Sequence, residues 1–149
     1  MENRREVLLK LRDGLVDLFV VIARVLFFYV PGGDVAYGRA LMVLHPLAIF
    51  ACILLFFALP IGHVLRTFLA IASIFVVASQ WLLGGCVVTR AEQRLTGSKE
   101  TIVDPFLKLA GLPADRNTRV AATLATGTTV CVVMLWSVFS DLLRAARVL

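Results

Sequence analysis

The chain has 149 residues, of which 60% are hydrophobic and only 17% are charged, and its mean hydropathy is +0.90. A water-soluble domain of this length cannot bury so much apolar surface, because a large share of its residues must face water. The composition therefore predicts an all-α integral membrane protein with a single membrane domain, residues 1–149. The net charge of +5 suits contact with anionic lipid head groups. We expect no nucleic-acid partner, because the basic residues are scattered and no stacking aromatics are interleaved with them.

The N-terminal stretch, residues 6–30, combines apolar residues with a charged face. Four charged residues share one narrow face of a helix: Lys10, Asp13, Asp17 and Arg24. Placing Asp17 and Arg24 deep in the bilayer would cost about 5–7 kcal/mol, which offsets the favourable insertion of the apolar residues. We therefore predict an interfacial or half-buried amphipathic helix, whose charged face contacts head groups, water or a partner helix. If Arg24 lay at depth, it would be the leading candidate for a functional intramembrane charge.

Three later segments are long and apolar enough to span a bilayer, which takes about 20 residues of α-helix. They are residues 40–59, 64–83 and 120–139. The link between the first two is so short that they should form a tight antiparallel hairpin. Pro46 should kink the first span or mark a restart of its helix. Small residues recur at the start of the third span, which favours close packing against another helix.

The alternative is four transmembrane helices, with residues 6–30 as an additional span. With three spans, residues 1–39 and 87–119 lie on one side and carry six Lys or Arg each, against three in the rest of the chain. With four spans, the loop and tail Lys and Arg divide evenly between the two sides. Membrane proteins hold an excess of basic residues on the cytoplasmic side. Three spans are therefore favoured, with the N-terminus and residues 87–119 on that side.

Residues 87–119 form the main polar segment and should contain short surface helices. Thr89 and Glu92 have the spacing of a capping box, in which each side chain bonds the backbone amide of the other residue. Arg90 and Arg94 contribute positive charge to this segment. We therefore expect residues 87–119 to form part of a basic interaction face.

Further signals mark the ends of helices in the same region. Asp104 precedes a proline, as at the start of a helix, and Gly111 is a plausible stop for that helix. Asp115 or Asn117 should cap the last span. These signals predict two short helices rather than a folded polar domain.

Histidine and cysteine offer few catalytic possibilities. His45 and His63 lie at opposite ends of the first predicted span, so they cannot share a metal ion. A histidine placed as His45 is could be a ligand or a proton carrier, but more often it bonds a neighbouring helix. Cys86 is the only cysteine placed to react, because the other two lie inside apolar runs, where a thiol behaves as a small hydrophobe. We predict no catalytic residue, no metal site, no cofactor and no enzyme activity.

The stretch 85–97 contains three residues at regular spacing: Cys86, Thr89 and Glu92. It resembles the motif of a family of small polytopic membrane proteins, in which a helix ends in Cys-Pro-Leu-Thr shortly before a Glu and a Gly. Upstream helices in that family tend to open with His, as at His45, and Val87 stands where the family has Pro. The resemblance covers roughly residues 41–140 and implies a fold without implying a reaction. The segment is also similar to parts of integral membrane proteins of large DNA viruses.

These observations lead to a structural hypothesis and two alternatives. The first is a non-catalytic membrane protein that anchors or cements a larger assembly, such as a virion inner membrane beneath a capsid or an organellar complex. Its partners would be the lipid bilayer and other protein subunits, bound through the basic face of the N-terminal helix and residues 87–119. The main alternative is a small membrane carrier or sensor that uses His45, Arg24 and Cys86. A lipid-modifying enzyme is the third, although the sequence identifies no small-molecule substrate.

Overall fold

A computed structural model describes residues 2–146, which form six α-helices joined by short links. The helices are α1 (Glu2–Leu26), α2 (Gly33–Ala58), α3 (Val64–Leu83), α4 (Val87–Thr96), α5 (Asp104–Leu109) and α6 (Arg116–Ala146). No strand occurs among the described residues. The prediction of an all-α protein is confirmed.

Three of the helices are long and apolar enough to cross a membrane, namely α2, α3 and α6. Their windows of highest hydropathy are mostly uncovered by the rest of the protein, as expected for surfaces that face lipid. The bounds of α3 agree with the predicted span, whereas α2 begins earlier than predicted and α6 extends beyond the prediction at both ends. Pro46 does not restart the first of these helices, since α2 continues through it as one element.

The link between α2 and α3 makes them packed neighbours, as the short loop predicts. His63 lies directly before α3, and its Nδ1 accepts a hydrogen bond from the Leu65 amide at 3.2 Å, which satisfies one of the free donors of the first turn. Phe56 of α2 is fully buried and forms a core cluster with Ala70 of α3 and Met134 of α6. The three span candidates therefore share one apolar core.

Small residues allow α3 and α6 to pack closely. A Cβ added at Gly127 would lie 3.4 Å from Gln80 Oε1, so α6 passes close to this side chain. The Ser73 hydroxyl lies 3.3 Å from Cys131 Sγ between the same helices. Trp81 Nε1 donates to Thr128 Oγ1 at 3.3 Å. Small residues and side-chain hydrogen bonds are the usual means of helix association in membranes.

A buried ion pair joins the start of α3 to the last part of α6. Arg66 Nη1 lies 3.4 Å from Asp141 Oδ2, and both side chains are nearly inaccessible. The same guanidinium donates to the Ser137 hydroxyl and lies 4.8 Å from the ring centroid of Phe56. Sequence reasoning missed this pair, because it placed Asp141 beyond the end of the third span.

The helix α1 packs lengthwise against α4. Its buried residues recur at helical spacing and form a core with two residues of α4: Val16, Val20, Ala23 and Phe27 with Ala91 and Leu95. Asp17 forms an ion pair with Arg94 beside this core. Other apolar residues of α1, among them Leu11, Val21 and Val25, stay more than half exposed. Of the charged face of α1, Asp17 contacts α4, and an apolar face of the helix stays uncovered.

The capping box predicted at Thr89 and Glu92 is wrong. Helix α4 begins at Val87 with Cys86 as its N-cap, so Thr89 lies inside the first turn. The Glu92 carboxylate points instead to α2, where it meets a histidine. The spacing of Thr89 and Glu92 fits a cap, but the carboxylate forms a hydrogen bond with His45 of α2 instead.

The signals for the ends of α5 and α6 are close to the structure. The predicted N-cap Asp104 is instead the first residue of α5, with Val103 as the N-cap, and its carboxylate bonds Thr101 and Arg119. Gly111 adopts a positive φ of 69° just beyond the end of α5. Asp115 accepts a hydrogen bond from the Thr118 amide at 2.8 Å and so caps α6, as one of the two predicted candidates.

A candidate thiol site between α2 and α4

Helices α2 and α4 meet at a glycine. Gly38 is buried, and a Cβ built there would lie 2.6 Å from Thr96 Cγ2 and 2.9 Å from Leu95 Cβ. Only a residue without a side chain permits this approach. Two turns further along α2 lies His45, and one turn back along α4 lies Glu92. The close approach at Gly38 therefore places these two side chains opposite each other.

His45 and Glu92 form a buried hydrogen-bonded pair. His45 Nδ1 lies 2.8 Å from Glu92 Oε1, and their side chains are only 19% and 7% exposed. A buried carboxylate requires such a partner, because an unpaired charge away from water is very costly. Since the carboxylate accepts a hydrogen bond from Nδ1, this nitrogen carries a proton, and Nε2 is directed away from Glu92.

Cys86 lies on the other side of the same imidazole ring. Its Sγ is 3.6 Å from His45 Nε2, within hydrogen-bond reach for sulfur. The order of contacts is therefore thiol, imidazole, carboxylate, from Cys86 through His45 to Glu92. A nucleophile beside a base that a third group orients is the arrangement found in covalent catalysis.

The turn before α4 positions the thiol. Gly84 and Gly85 have φ values of 66° and 121°, which residues with a side chain rarely adopt, and they reverse the chain directly after α3. Cys86 consequently occupies the N-cap of α4, where the partial positive charge of the helix end favours a thiolate.

The electrostatics of the site favour the ionised sulfur. Burial alone raises the pKa of the Cys86 thiol, but the hydrogen bond and positive charge of His45 lower it, and Thr89 contributes in the same direction. The pKa of Cys86 is lowered overall from its ordinary value. Thiolate, rather than thiol, is the nucleophilic form of cysteine.

A cavity of about 500 Å³ opens beside these residues. Its walls come from α2, α3, α4, the link before α5 and the start of α6. The polar residues include His45, Gln80, Cys86, Thr89 and Glu92; the basic residues are Arg90, Lys99, Arg116 and Arg119; the apolar residues include Pro46, Ile49, Val103 and Val120. The thiol therefore faces a space that is basic on one side and apolar on another.

The basic residues of the cavity differ in how far they are neutralised. Arg119 forms a bidentate pair with the buried Asp104, at 2.6 and 2.7 Å. Arg90 donates to the Gly84 carbonyl at 2.9 Å and is attracted by the negative charges of Asp13 and of ionised Cys86. Among the described side chains, residues 3–146, no carboxylate lies within 4.0 Å of Arg90 or Arg116. Burial and then the positive charges of Arg12 and Arg116 lower the pKa of Arg90.

The predicted stripe on α1 does not join this site. Its members have separate surface contacts or none: Asp13 pairs with Arg12 at 2.8 Å, Asp17 pairs with Arg94, Arg24 holds Asp34 at 2.9 and 2.6 Å, and Lys10 is exposed. Arg24 is half-exposed and is paired at the first turn of α2, so it is not an isolated charge at depth. Of the residues proposed for a carrier or sensor, His45 and Cys86 are brought together and Arg24 is not.

The three site residues do not converge on a common point. Cys86 and Glu92 contact opposite nitrogens of the His45 ring. Among the described residues, no group of three or more His, Cys, Asp or Glu side chains could hold a metal ion. The contacts thus form a line through the imidazole, which suits proton transfer.

Comparison of the chain with models of known protein families, with characterised proteins and with solved structures finds no match.

Proposed function

We propose that this is a membrane protein whose Cys86 thiolate takes up an acyl group and carries it at the end of the helix bundle. The single observation that supports it most is the linear contact of Cys86, His45 and Glu92 beside an open cavity. This proposal departs from the expectation of a protein without catalytic residues, and of the three residues named for a carrier or sensor it uses His45 and Cys86.

The chemistry follows from the three contacts. The Cys86 sulfur gives its electron pair to the acyl carbon of an activated ester or thioester, and an S–C bond forms. The bond from that carbon to the leaving group breaks, and the leaving group takes a proton from His45 Nε2. Glu92 holds the ring in position throughout. Transfer to an acceptor alcohol, amine or thiol reverses these steps and restores the thiolate.

The membrane setting is part of the proposal. Residues 2–26 and 87–119 would lie on the cytoplasmic side, with α2, α3 and α6 spanning the bilayer. The packing of α1 on α4 and the excess of basic residues in these two segments support this arrangement. Single cysteines placed near residues 20 and 100 would then react with an impermeant reagent from the same side. Labelling from opposite sides would contradict the three-span topology.

The thiolate is tested by its reaction with a neutral alkylating reagent, iodoacetamide. The starting chain carries Cys52→Ala and Cys131→Ala, so that Cys86 is the only thiol. We expect the rate of Cys86 alkylation to rise with pH around a midpoint below about 8.5, which is the pKa of an ordinary cysteine. His45→Gln should move the midpoint upward, because the imidazole no longer supports the thiolate. Glu92→Gln should move it in the same direction.

A second histidine provides the matched control. His63 caps α3 at the hairpin and takes no part in the site, so His63→Gln should leave the pH profile unchanged. A midpoint at or above 8.5, or equal shifts for the two histidine variants, would refute the proposed role of His45.

A second proposal is the structural one, in which the protein anchors a larger assembly without catalysis, in a virion inner membrane or an organellar complex. The observation that favours it is the uncovered apolar face of α1 beside the exposed Lys10 and Arg94. Such a helix can bind lipid and a partner subunit together. Cross-linking from an introduced cysteine at Val25 should capture a stoichiometric protein partner in the native membrane. Recovery of lipid adducts alone would count against it.

A further inference from the structure

We propose that the cavity beside Cys86 binds a phosphate-bearing amphiphile, with the phosphate held by Arg90 and Arg116 and the apolar part against Pro46 and Ile49. This inference rests on the proposed function in one respect: the amphiphile would be the molecule that delivers the acyl group to Cys86. The binding itself does not require a reactive thiol.

The first argument is positive charge without a direct ion pair. Arg116 is exposed at the start of α6 and has no carboxylate partner among the described side chains, residues 3–146. Arg90 is partly buried and bonds only a neutral carbonyl. Both line the cavity, with Lys99 as a third cation. Bringing like charges together without counter-charge is unfavourable, and an anion in the cavity would relieve it.

The second argument is the kind of donor. Guanidinium groups bind phosphate oxygens through paired, directional hydrogen bonds. The neighbouring Arg119 is already engaged by Asp104, which fixes the start of α6 and leaves Arg116 available. Arg119 therefore has a structural role in the cavity, whereas Arg90 and Arg116 are open to a ligand.

The third argument is the opposite wall. Pro46, Ile49 and Val120 belong to helices that are apolar enough to span a membrane, and they line the same cavity as the arginines. A ligand that contacts both walls must carry an anionic group and an apolar group. Phospholipids and soluble phosphate-bearing acyl carriers share this chemistry, so the test must separate a lipid source from a soluble one.

The experiment measures ligand-dependent stability of the Cys86→Ser protein, so that thiol chemistry plays no part. The protein is placed in phosphatidylcholine nanodiscs, and its melting temperature is recorded with added glycerol 3-phosphate or an acyl phosphate ester. A second arm replaces part of the phosphatidylcholine with phosphatidic acid. We expect a rise in melting temperature in at least one arm, because a ligand that binds only the folded state stabilises it.

Substitutions assign the effect to the cavity. Arg116→Gln should weaken the apparent affinity about tenfold, as expected for the loss of one charge-assisted contact. Arg116→Lys keeps the charge but loses the paired donors, so it should weaken the affinity less than Arg116→Gln does. Lys108→Gln removes an exposed charge outside the cavity and should change nothing.

The outcomes separate cleanly. Stabilisation by the soluble compounds supports a soluble ligand, and stabilisation by phosphatidic acid alone supports a lipid. No stabilisation in either arm, or stabilisation that Arg116→Gln and Lys108→Gln reduce equally, overturns the proposal. The proposed function is tested separately, by the pH profile of Cys86 alkylation.

Discussion

Replacing Gly38 with alanine should both destabilise the protein and disturb the thiol site. A Cβ at this position would lie 2.6 Å from Thr96 Cγ2, 2.9 Å from Leu95 Cβ and 3.1 Å from the Thr96 backbone nitrogen. The first contact can be relieved by a side-chain movement, whereas the last requires α4 to shift. Overpacking of this kind costs about 1–3 kcal/mol.

The same substitution elsewhere measures the background effect. Alanine is favoured over glycine inside a helix by about 1 kcal/mol. Gly14 lies within α1 with nothing within 4 Å of an added Cβ, so Gly14→Ala should be neutral or stabilising. Because both positions gain the same helix propensity, the difference between the two variants isolates the clash at Gly38. We expect this difference to be about 1–3 kcal/mol.

The assay has a stability readout and a site readout. Unfolding in detergent micelles is followed by circular dichroism. We expect Gly14→Ala to be the most stable protein, wild type the next and Gly38→Ala the least stable. A shift of α4 also separates Glu92 from His45, so the alkylation midpoint of Cys86 should rise in Gly38→Ala and stay constant in Gly14→Ala. Thr96→Ser removes the closest methyl group and should partly rescue Gly38→Ala. Equal stability of the two alanine variants would refute the close approach of α2 and α4.

Three further predictions concern the rest of the bundle. Asp141→Asn should destabilise the protein by about 3 kcal/mol in thermal unfolding, because it leaves Arg66 buried without its counter-charge; an unchanged melting temperature would exclude the pair. Burial opposes ionisation of Asp104, but hydrogen bonds from Arg119 and Thr101 lower its pKa overall. Its stabilising contribution is therefore present above the unfolded pKa of about 3.9 and is lost as the pH falls from there through the lower folded pKa. Arg119→Gln should reduce this acid dependence in pH titrations of the melting temperature, because only the Thr101 hydrogen bonds remain. Asp115→Ala removes the cap of α6 and should cost about 1 kcal/mol, measured by the same melts against Asn117→Ala as control.

The architecture follows from local properties of the sequence. Apolar runs of the length of a bilayer predict α2, α3 and α6, and the short predicted link, residues 60–63, forces a hairpin. Asp115 marks a helix start through its side-chain oxygen, and Gly111 marks a helix end through its backbone freedom. Each of these signals is contained within one element, which is why it can be found without knowing how the elements pack.

The thiol site could not be found in this way, because its geometry depends on packing between distant parts of the chain. The sequence groups His45 and Cys86 with Arg24 in the carrier or sensor alternative but indicates no contact between them, and it assigns Glu92 to a local cap. A carboxylate three residues after a threonine fits that cap, and nothing local shows that a histidine 47 residues away takes it instead. Gly38 gives no such signal either, because it precedes the predicted span 40–59 and only the structure places it inside α2. It carries no information about its partner.

The dependence of the site on α4 has a consequence for biosynthesis. Helix α4 packs against both α1 and α2, which leave the ribosome well before it. Until then, the apolar residues Val16, Val20, Ala23 and Phe27 lack the α4 residues that cover them in the folded protein. Cys86 emerges only after the hairpin, and it meets His45 when α4 docks against the helices that preceded it. A chain truncated directly after Cys86 would therefore contain the α2–α3 hairpin and the thiol, but it would lack Thr89 and Glu92, the two residues that α4 contributes to the site.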